Sequence, residues 1–92
     1  MTLTELRYIV ALAQDGNFSR AAERCSVSQP TLSVAIARLE DELGVQLFER
    51  GKGFVSPSAV GVRVVEQAKQ ALLETEKVRQ IALQGRDQLD GP

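Results

Sequence analysis

The sequence predicts a mainly α fold in which three short helices and a small β-hairpin precede one long helix. Three observations support this prediction. Apolar residues recur at helical spacing in four segments, a glycine-rich hairpin pattern separates the third segment from the fourth, and the fourth segment is the longest. At 92 residues, the chain has room for one small domain and a long helix.

The first two helices are expected to be short and joined by a tight turn. The first is indicated by apolar residues three or four positions apart and is expected to end at the turn formers 15–17. Ser19 is interpreted as the N-cap of a second helix that ends near Cys25, and residues 26–27 turn into the third helix. A three-helix bundle without a ligand remains an alternative for this pattern. The apolar residues of the first helix are Leu3, Leu6, Val10 and Ala13.

The third helix has the best-defined start in the chain. Ser28 can cap its first amides, and Pro30 fits the first turn, where a missing N–H costs nothing. Gly44 is expected to end the helix. Its core face is predicted to be an apolar stripe formed by Leu32, Ile36, Leu39 and Leu43.

The face opposite this stripe carries mostly small side chains, as a helix needs if it is to enter a DNA major groove roughly 12 Å wide. Gln29 could bond bidentately to adenine, and Arg38 could reach guanine or phosphate. Thr31 and Ser33 could bond base edges or phosphate. Val34 is either an incidental exposed apolar residue or a contact to a thymine methyl group.

A β-hairpin with a basic tip is predicted after the third helix. Residues 45–50 lead into a glycine-rich turn at 51–53, and residues 54–56 form the second strand. A hairpin placed directly after such a helix is a wing, so Arg50 and Lys52 are expected to meet a phosphate or an adjacent minor groove. For Lys52, a surface turn whose charge serves only solubility is the alternative.

A long helix with Ser58 as its N-cap is predicted after Pro57. A helix roughly 40 Å long exceeds what a compact headpiece can cover, so we expect it to pair antiparallel with the same helix of a second chain. The alternative, in which it folds back on its own headpiece, is disfavoured by its length. We therefore divide the chain into a DNA-binding domain (1–57), a linker and dimerisation helix (58–84) and a hinge (85–92). The predicted dimerisation stripe is Val64, Val65, Ala68, Ala71, Leu72, Thr75, Val78, Ile81 and Ala82.

Several short motifs follow one another along the chain in a characteristic order. They are residues 6–8, 18–24, 27–33, 38–44 and 47–50, with Gly61 after the hairpin. With these motifs, the sequence resembles the N-terminal DNA-binding domain of LysR-type transcriptional regulators. Within that family, residues 1–13 and 29–33 are similar to the peroxide-responsive OxyR branch.

This resemblance implies a winged helix-turn-helix dimer that binds an interrupted inverted repeat in double-stranded DNA and activates or represses transcription. It implies a homodimer through the linker helix. The chain is expected to be a fragment of a longer regulator, which would carry an effector domain, form tetramers and contact RNA polymerase. Two positions depart from the family, because Val34 and Gly53 stand where basic or polar residues are common. The implied DNA-binding set is Ser28, Gln29, Pro30, Thr31, Ser33, Val34, Arg38, Arg50 and Lys52.

The overall charge argues against DNA binding. Eleven basic and twelve acidic residues give a net charge of −1, whereas nucleic-acid binders are expected to show a basic excess. However, the acids at 40–42 lie at the C-terminal end of the third helix, and its N-terminus presents positive dipole to a phosphate. We therefore expect weak non-specific affinity that depends strongly on salt and on dimer formation.

The composition leaves little room for catalysis. The chain has no His and one Cys, which excludes a Cys–His pair and a His or Cys metal cluster, and no cofactor is expected. Cys25 is interpreted as a small buried apolar residue rather than a redox group. One cysteine, no signal peptide and no apolar run of membrane length indicate a cytoplasmic protein. The alternative function is a winged-helix module that binds protein through its long helix.

Overall fold

The computed structural model describes residues 1–90, with side chains described through residue 87. This part of the chain contains four helices and one two-stranded antiparallel sheet, which confirms the mainly α fold with a small β-hairpin. In chain order, the elements are α1 (Leu3–Asp15), α2 (Phe18–Arg24), α3 (Gln29–Leu43), β1 (Phe48–Arg50), β2 (Val55–Pro57) and α4 (Ala59–Asp90).

Side-chain caps fix where the first two helices begin. The Thr2 hydroxyl accepts a hydrogen bond from the Glu5 amide at 3.1 Å, and the Glu5 carboxylate accepts one from the Thr2 amide at 2.7 Å, forming a capping box. Asn17 caps α2, since its Oδ1 accepts from the Arg20 amide at 3.0 Å. The prediction that Ser19 is this cap is wrong, because α2 begins at Phe18 and the residue before it already supplies the oxygen.

Both ends of α3 are as predicted, and its core stripe differs from the prediction in one residue. Ser28 Oγ accepts from the Thr31 amide at 3.3 Å, Pro30 lies in the first turn, and Gly44 ends the helix at φ 70°. Leu43, predicted to belong to the core stripe, is 38% exposed. It lies in the last turn before the chain bends at Gly44, and the leucine that is buried after this bend is Leu47.

The core lies where α1, α2 and α3 meet the hairpin and the first half of α4. Ala21 and Ala22 are buried between the short helices, where small side chains let the helix axes approach closely. The hairpin is tied to this unit by the Val55 amide, which donates to the Gly16 carbonyl at 2.9 Å. The largest fully buried side chains are Ile9, Leu12, Leu32, Leu39 and Leu47.

The first half of α4 packs on its own headpiece, contrary to expectation. Val65 and Ala68 are 4% and 3% exposed within the core, and other stripe residues are half-buried against it. A Cβ at Gly61 would overlap the Leu47 carbonyl oxygen, so the absence of a side chain lets α4 pass directly over this loop. The half-buried residues are Val64, Ala71 and Leu72.

The second half of α4 extends away from the headpiece. Val78 and Ile81 are 69% and 68% exposed, Ala82 is also exposed, and the Thr75 hydroxyl donates to the Ala71 carbonyl at 2.9 Å. The expectation that a hinge would interrupt the helix after residue 84 is wrong for residues 85–90, because α4 continues through them. A single interior glycine costs a helix only about 1 kcal/mol, which the surrounding turns offset. Residues 91 and 92 of the predicted hinge lie outside the described residues.

Although α4 is long enough to cross a bilayer, neither it nor any other helix among the described residues is sufficiently apolar to do so.

Candidate nucleic-acid interface

Most of the predicted DNA-contacting residues of α3 lie on one exposed surface that runs from its first residue to Arg38. Gln29, Pro30, Thr31 and Arg38 are exposed, and Val34 is 49% exposed although it is apolar. Several of these residues line a groove of about 550 Å³ between α1 and α3. The arrangement presents a narrow, sparsely charged ridge with hydrogen-bonding groups at its start, as expected of a helix that enters a major groove.

Ser28 and Thr31 form a small network at the beginning of this ridge. The hydroxyls of the two residues lie 2.9 Å apart, and Ser28 Oγ also accepts the Thr31 amide. The first turn of α3 contains no acidic residue, so the positive end of its dipole is not offset locally. Because Pro30 has no N–H and the Thr31 amide donates to Ser28, this helix start offers a phosphate oxygen its hydroxyls and its dipole. Ser33, also predicted to contact DNA, is half-buried beside this ridge.

The start of α2 contacts the start of α3 through Ser19. Its hydroxyl donates to Gln29 Oε1 at 3.3 Å, and both residues are exposed. Because Asn17 caps α2, the Ser19 hydroxyl is left to make this contact. Ser19 was interpreted as a cap and not as a site residue, since nothing in the local sequence pattern indicates that residues ten positions apart would meet.

The wing places Arg50 beside this contact between the start of α2 and the start of α3. Its guanidinium carbon lies 4.7 Å from the centroid of the Phe18 ring, within the range of a cation–π interaction. Phe18, Ser19 and Gln29 line one part of a hollow of about 300 Å³ between α2, α3 and the hairpin, and Arg50 lines another. The predicted wing arginine and the first residue of α3 thus face one shared hollow. Phe18 also lines this candidate site, although it is not among the residues predicted from the sequence.

Lys52 lies apart from this hollow, at the exposed tip of the hairpin. The turn is shaped by Gly51 and Gly53. A Cβ at Gly51 would lie within 2.8 Å of the Phe54 ring, and Gly53 has φ 79°, in the region that favours glycine. Phe54 is itself 58% exposed. The structure therefore separates the two basic wing residues, with Arg50 held against the headpiece and Lys52 at the tip.

Two of the acidic residues at the other end of α3, Glu40 and Glu42, are engaged in structural contacts. The Glu40 carboxylate accepts from the amides of Leu47 and Phe48 at 2.6 and 3.3 Å. Glu42 forms an ion pair of 2.9 Å with the N-terminal ammonium group of Met1, which raises the pKa of that group. These contacts place negative charge away from the start of α3, so a net charge of −1 is compatible with an anion-binding surface there.

Arg24 is committed to a bidentate pair with Asp15. Its Nε and Nη2 donate to the two carboxylate oxygens, each at 2.8 Å, joining the ends of α1 and α2. This hydrogen bonding lowers the pKa of Asp15 and raises that of Arg24. Arg24 therefore stabilises the headpiece and is not available to a phosphate.

Cys25 is half-buried and packs against the core. Burial raises the pKa of its thiol, which disfavours the reactive thiolate. Among the residues that the structure describes, no three His, Cys, Asp or Glu side chains are grouped so that they could hold a metal ion. This surface can therefore bind a ligand through hydrogen bonds, through the Arg50 guanidinium and through the N-terminus of α3.

Comparison with known proteins supports this interpretation. Residues 3–62 match the family described as bacterial regulatory helix-turn-helix proteins, lysR family. All 92 residues align with the hydrogen peroxide-inducible genes activator of Pectobacterium carotovorum subsp. carotovorum at 46% identity. They align at 45% identity with the DNA-binding transcriptional dual regulator OxyR of Escherichia coli strain K12. The chain spans 30% of the length of each of these relatives.

Solved structures show the same fold. A full-length OxyR variant from Pseudomonas aeruginosa matches with a TM-score of 0.90 and 57% identity, over 97% of this chain and 30% of that one. The complex of CbnR_DBD with DNA matches with a TM-score of 0.87 and 31% identity, over 94% of this chain and 99% of that one. The complex of BenM_DBD with benA site 1 DNA also has a TM-score of 0.87, with 34% identity over 91% of this chain and 94% of that one.

Proposed function

Because the chain belongs to the LysR family of bacterial regulatory helix-turn-helix proteins, and is a LysR-type DNA-binding domain, we propose that it reads an interrupted inverted repeat as a dimer. In this proposal, α3 of each subunit enters a major groove and the wing meets the adjacent backbone or minor groove. The observation that carries it is the shared hollow, where Arg50 of the wing and Gln29 of α3 lie beside one exposed helix start.

We propose that the DNA contacts divide into two kinds. Gln29 and Val34 face base edges. Thr31 and Ser33 bond base edges or phosphate, and Arg38 reaches guanine or phosphate. The hydroxyls at the start of α3 and the wing cations meet phosphates, which position the headpiece. Lys52 extends farther than Arg50 from the headpiece and would reach the more distant backbone. The proposed set is that predicted from the sequence: Ser28, Gln29, Pro30, Thr31, Ser33, Val34, Arg38, Arg50 and Lys52.

Dimerisation is proposed through the part of α4 that the headpiece leaves uncovered. Val65 and Ala68 are buried in their own core and contribute nothing directly to a second chain. Val78 and Ile81 are the large apolar residues of the stripe that remain exposed. Antiparallel pairing of α4 would cover them and hold two copies of α3 at a fixed separation. Two copies can read paired half-sites, whereas a single recognition helix reads one. The proposed interface is Thr75, Val78, Ile81 and Ala82, with Val64, Ala71 and Leu72 at its edge.

The broader role follows from the relatives and stays a proposal, because the chain spans 30% of their length. We propose that it directs a longer regulator to promoters, where that protein activates or represses transcription in response to peroxide, as tetramers in contact with RNA polymerase. We propose a binding role without catalysis or cofactor, and a cytoplasmic location, where the DNA of a bacterium lies.

The test is duplex binding by alanine variants of the α3 ridge. The purified chain first selects duplexes from a random DNA pool at near-physiological salt, and we expect an interrupted palindrome to be enriched. Gln29→Ala, Thr31→Ala, Ser33→Ala and Arg38→Ala should each then weaken binding to the selected duplex by about 1–3 kcal/mol per lost base contact. Gln70→Ala, exposed on α4, serves as the control.

Circular dichroism and sedimentation separate lost contacts from lost folding or lost dimer. If the variants fold and dimerise normally yet bind duplex as tightly as the original chain, the proposal is wrong and a protein-docking role is favoured instead.

A further inference from the structure

The contact between Ser19 and Gln29 joins the start of α2 to the first residue of α3. We propose that Ser19 is a positioning residue for base reading. Its hydroxyl holds the Gln29 side-chain amide in one orientation and thereby sets the base preference at the position that Gln29 reads. This inference rests on the proposed function, because it assumes that Gln29 faces a base edge.

A glutamine amide reads a base only when its orientation is fixed. Its oxygen accepts hydrogen bonds and its nitrogen donates them, and rotation about the last side-chain bond exchanges the two. Adenine offers a donor at N6 beside an acceptor at N7, so a bidentate match requires one orientation. A freely turning amide can present a donor or an acceptor to other base edges, which lowers discrimination.

The geometry at Ser19 provides this restraint. The hydroxyl donates to Gln29 Oε1 at 3.3 Å, so the oxygen end of the amide is directed toward α2 and the nitrogen end away from it. A carbonyl oxygen has two lone pairs. The held oxygen can therefore still accept a hydrogen bond from a base while the amide nitrogen donates to the same base.

The backbone on both sides of this contact is fixed. The start of α2 is held by the Asn17 cap, and the start of α3 is held by the Ser28 cap. Both helices contribute buried residues to the same core, among them Ala22 and Leu32. The remaining freedom is rotation of the Gln29 side chain, and the hydrogen bond from the Ser19 hydroxyl restricts this rotation.

The surroundings add to the restraint. The Arg50 guanidinium lies over the ring of Phe18, the neighbour of Ser19, and Ser19, Gln29 and Arg50 line the same hollow. Two side chains proposed to meet DNA are thus each held by one of two consecutive residues at the start of α2. Because Asn17 caps α2, the Ser19 hydroxyl is not needed as a cap, and it contacts Gln29 instead.

The experiment compares base preferences in four chains: the original, Ser19→Ala, Ser19→Thr and Gln29→Ala. Each chain selects duplexes from the same random pool, and the ratio of preferred to other bases is counted at every position. We expect Ser19→Ala to reduce this ratio about fivefold or more at one position of each half-site, the position that Gln29→Ala also affects. Ser19→Thr, which keeps the hydroxyl, should retain the preference.

Each other outcome has a distinct meaning. An unchanged preference in Ser19→Ala overturns the inference, and so does a uniform loss of affinity at all positions, which would mark a backbone contact. Equal loss in Ser19→Thr and Ser19→Ala overturns it as well, because the hydroxyl would then not be the cause. If the original chain enriches no sequence, the proposed function fails first and the inference falls with it.

Discussion

The Arg50 guanidinium carbon lies 4.7 Å from the centroid of the Phe18 ring, so the wing of this protein is bound to the start of α2 by a cation–π contact. A backbone hydrogen bond of 2.9 Å from the Val55 amide to the Gly16 carbonyl reinforces the same junction. Together they fix the wing relative to α3. Two elements that we propose to contact DNA, and that are separate in the sequence, therefore form one surface.

Phe18→Leu should weaken DNA binding while preserving most of the packing. A cation–π pair at an exposed site contributes about 0.5–1 kcal/mol, so we expect a two- to fivefold loss of affinity for the selected duplex. Fluorescence anisotropy measures this loss. Phe54→Leu, at the exposed wing tip, is the matched control and should have a smaller effect. Combining Phe18→Leu with Arg50→Ala should give less than the sum of the separate losses, and full additivity would contradict the coupling.

Gly61→Ala should destabilise the protein because its new methyl group would overlap the Leu47 carbonyl oxygen. Overpacking of this kind costs about 1–3 kcal/mol. Gly85→Ala is the matched control in the same helix, since nothing lies within 4 Å of a Cβ there, and it should stabilise α4 by up to about 1 kcal/mol. Thermal unfolding followed by circular dichroism gives both values. Equal melting temperatures for the two variants would show that α4 does not pack on the Leu47 loop as described.

Glu40→Gln should destabilise the loop between α3 and the hairpin. The Glu40 carboxylate accepts two backbone amides, from Leu47 and Phe48, and a neutral amide oxygen is a weaker acceptor. We expect a loss of about 1–3 kcal/mol in the free energy of unfolding, measured with urea. Asp41→Asn removes the same charge from an exposed neighbour and should leave stability nearly unchanged. A similar effect from both variants would mean that net charge, and not the loop contact, is responsible.

The pair between Asp15 and Arg24 should make stability fall in acid. Arg24 lowers the pKa of Asp15 below its ordinary value of 3.8, so the folded protein binds this proton less readily than the unfolded chain. The contribution of the pair is therefore fully present above pH 4 or so and is lost as the pH falls through the lowered pKa. We would measure the free energy of unfolding with urea at a series of pH values. It should fall less steeply with decreasing pH for Asp15→Asn than for Asp41→Asn. Identical slopes would argue against the pair.

Ile81→Asp should prevent dimerisation without unfolding the headpiece, because Ile81 is 68% exposed on the outer half of α4. A carboxylate buried against a second helix would lack a partner and oppose association. Leu73→Asp is the control, since Leu73 is 58% exposed but lies outside the predicted stripe. Sedimentation equilibrium should show monomers for the first variant and dimers for the second. A dimer with Ile81→Asp would place the interface elsewhere.

The sequence predicted features that depend on local chemistry. Ser28 and Gly44 bound α3 as expected, because a cap and a left-handed glycine act on adjacent backbone groups. The partner of Ser19, the ring beneath Arg50 and the passage of α4 over Leu47 were missed, since each depends on residues that only the fold brings together. The helix was expected to end before Gly85 because a glycine signals a break locally, whereas the surrounding turns continue through it.

The most direct test of a dimer that reads paired half-sites is the dependence of binding on their spacing. Duplexes would carry two selected half-sites in inverted orientation with a varied number of base pairs between them, and affinity would be measured for each. A dimer held by α4 predicts a maximum at one spacing, with weaker binding when base pairs are added or removed. Equal affinity at every spacing, or no preference for duplexes that contain the half-sites, would contradict the account.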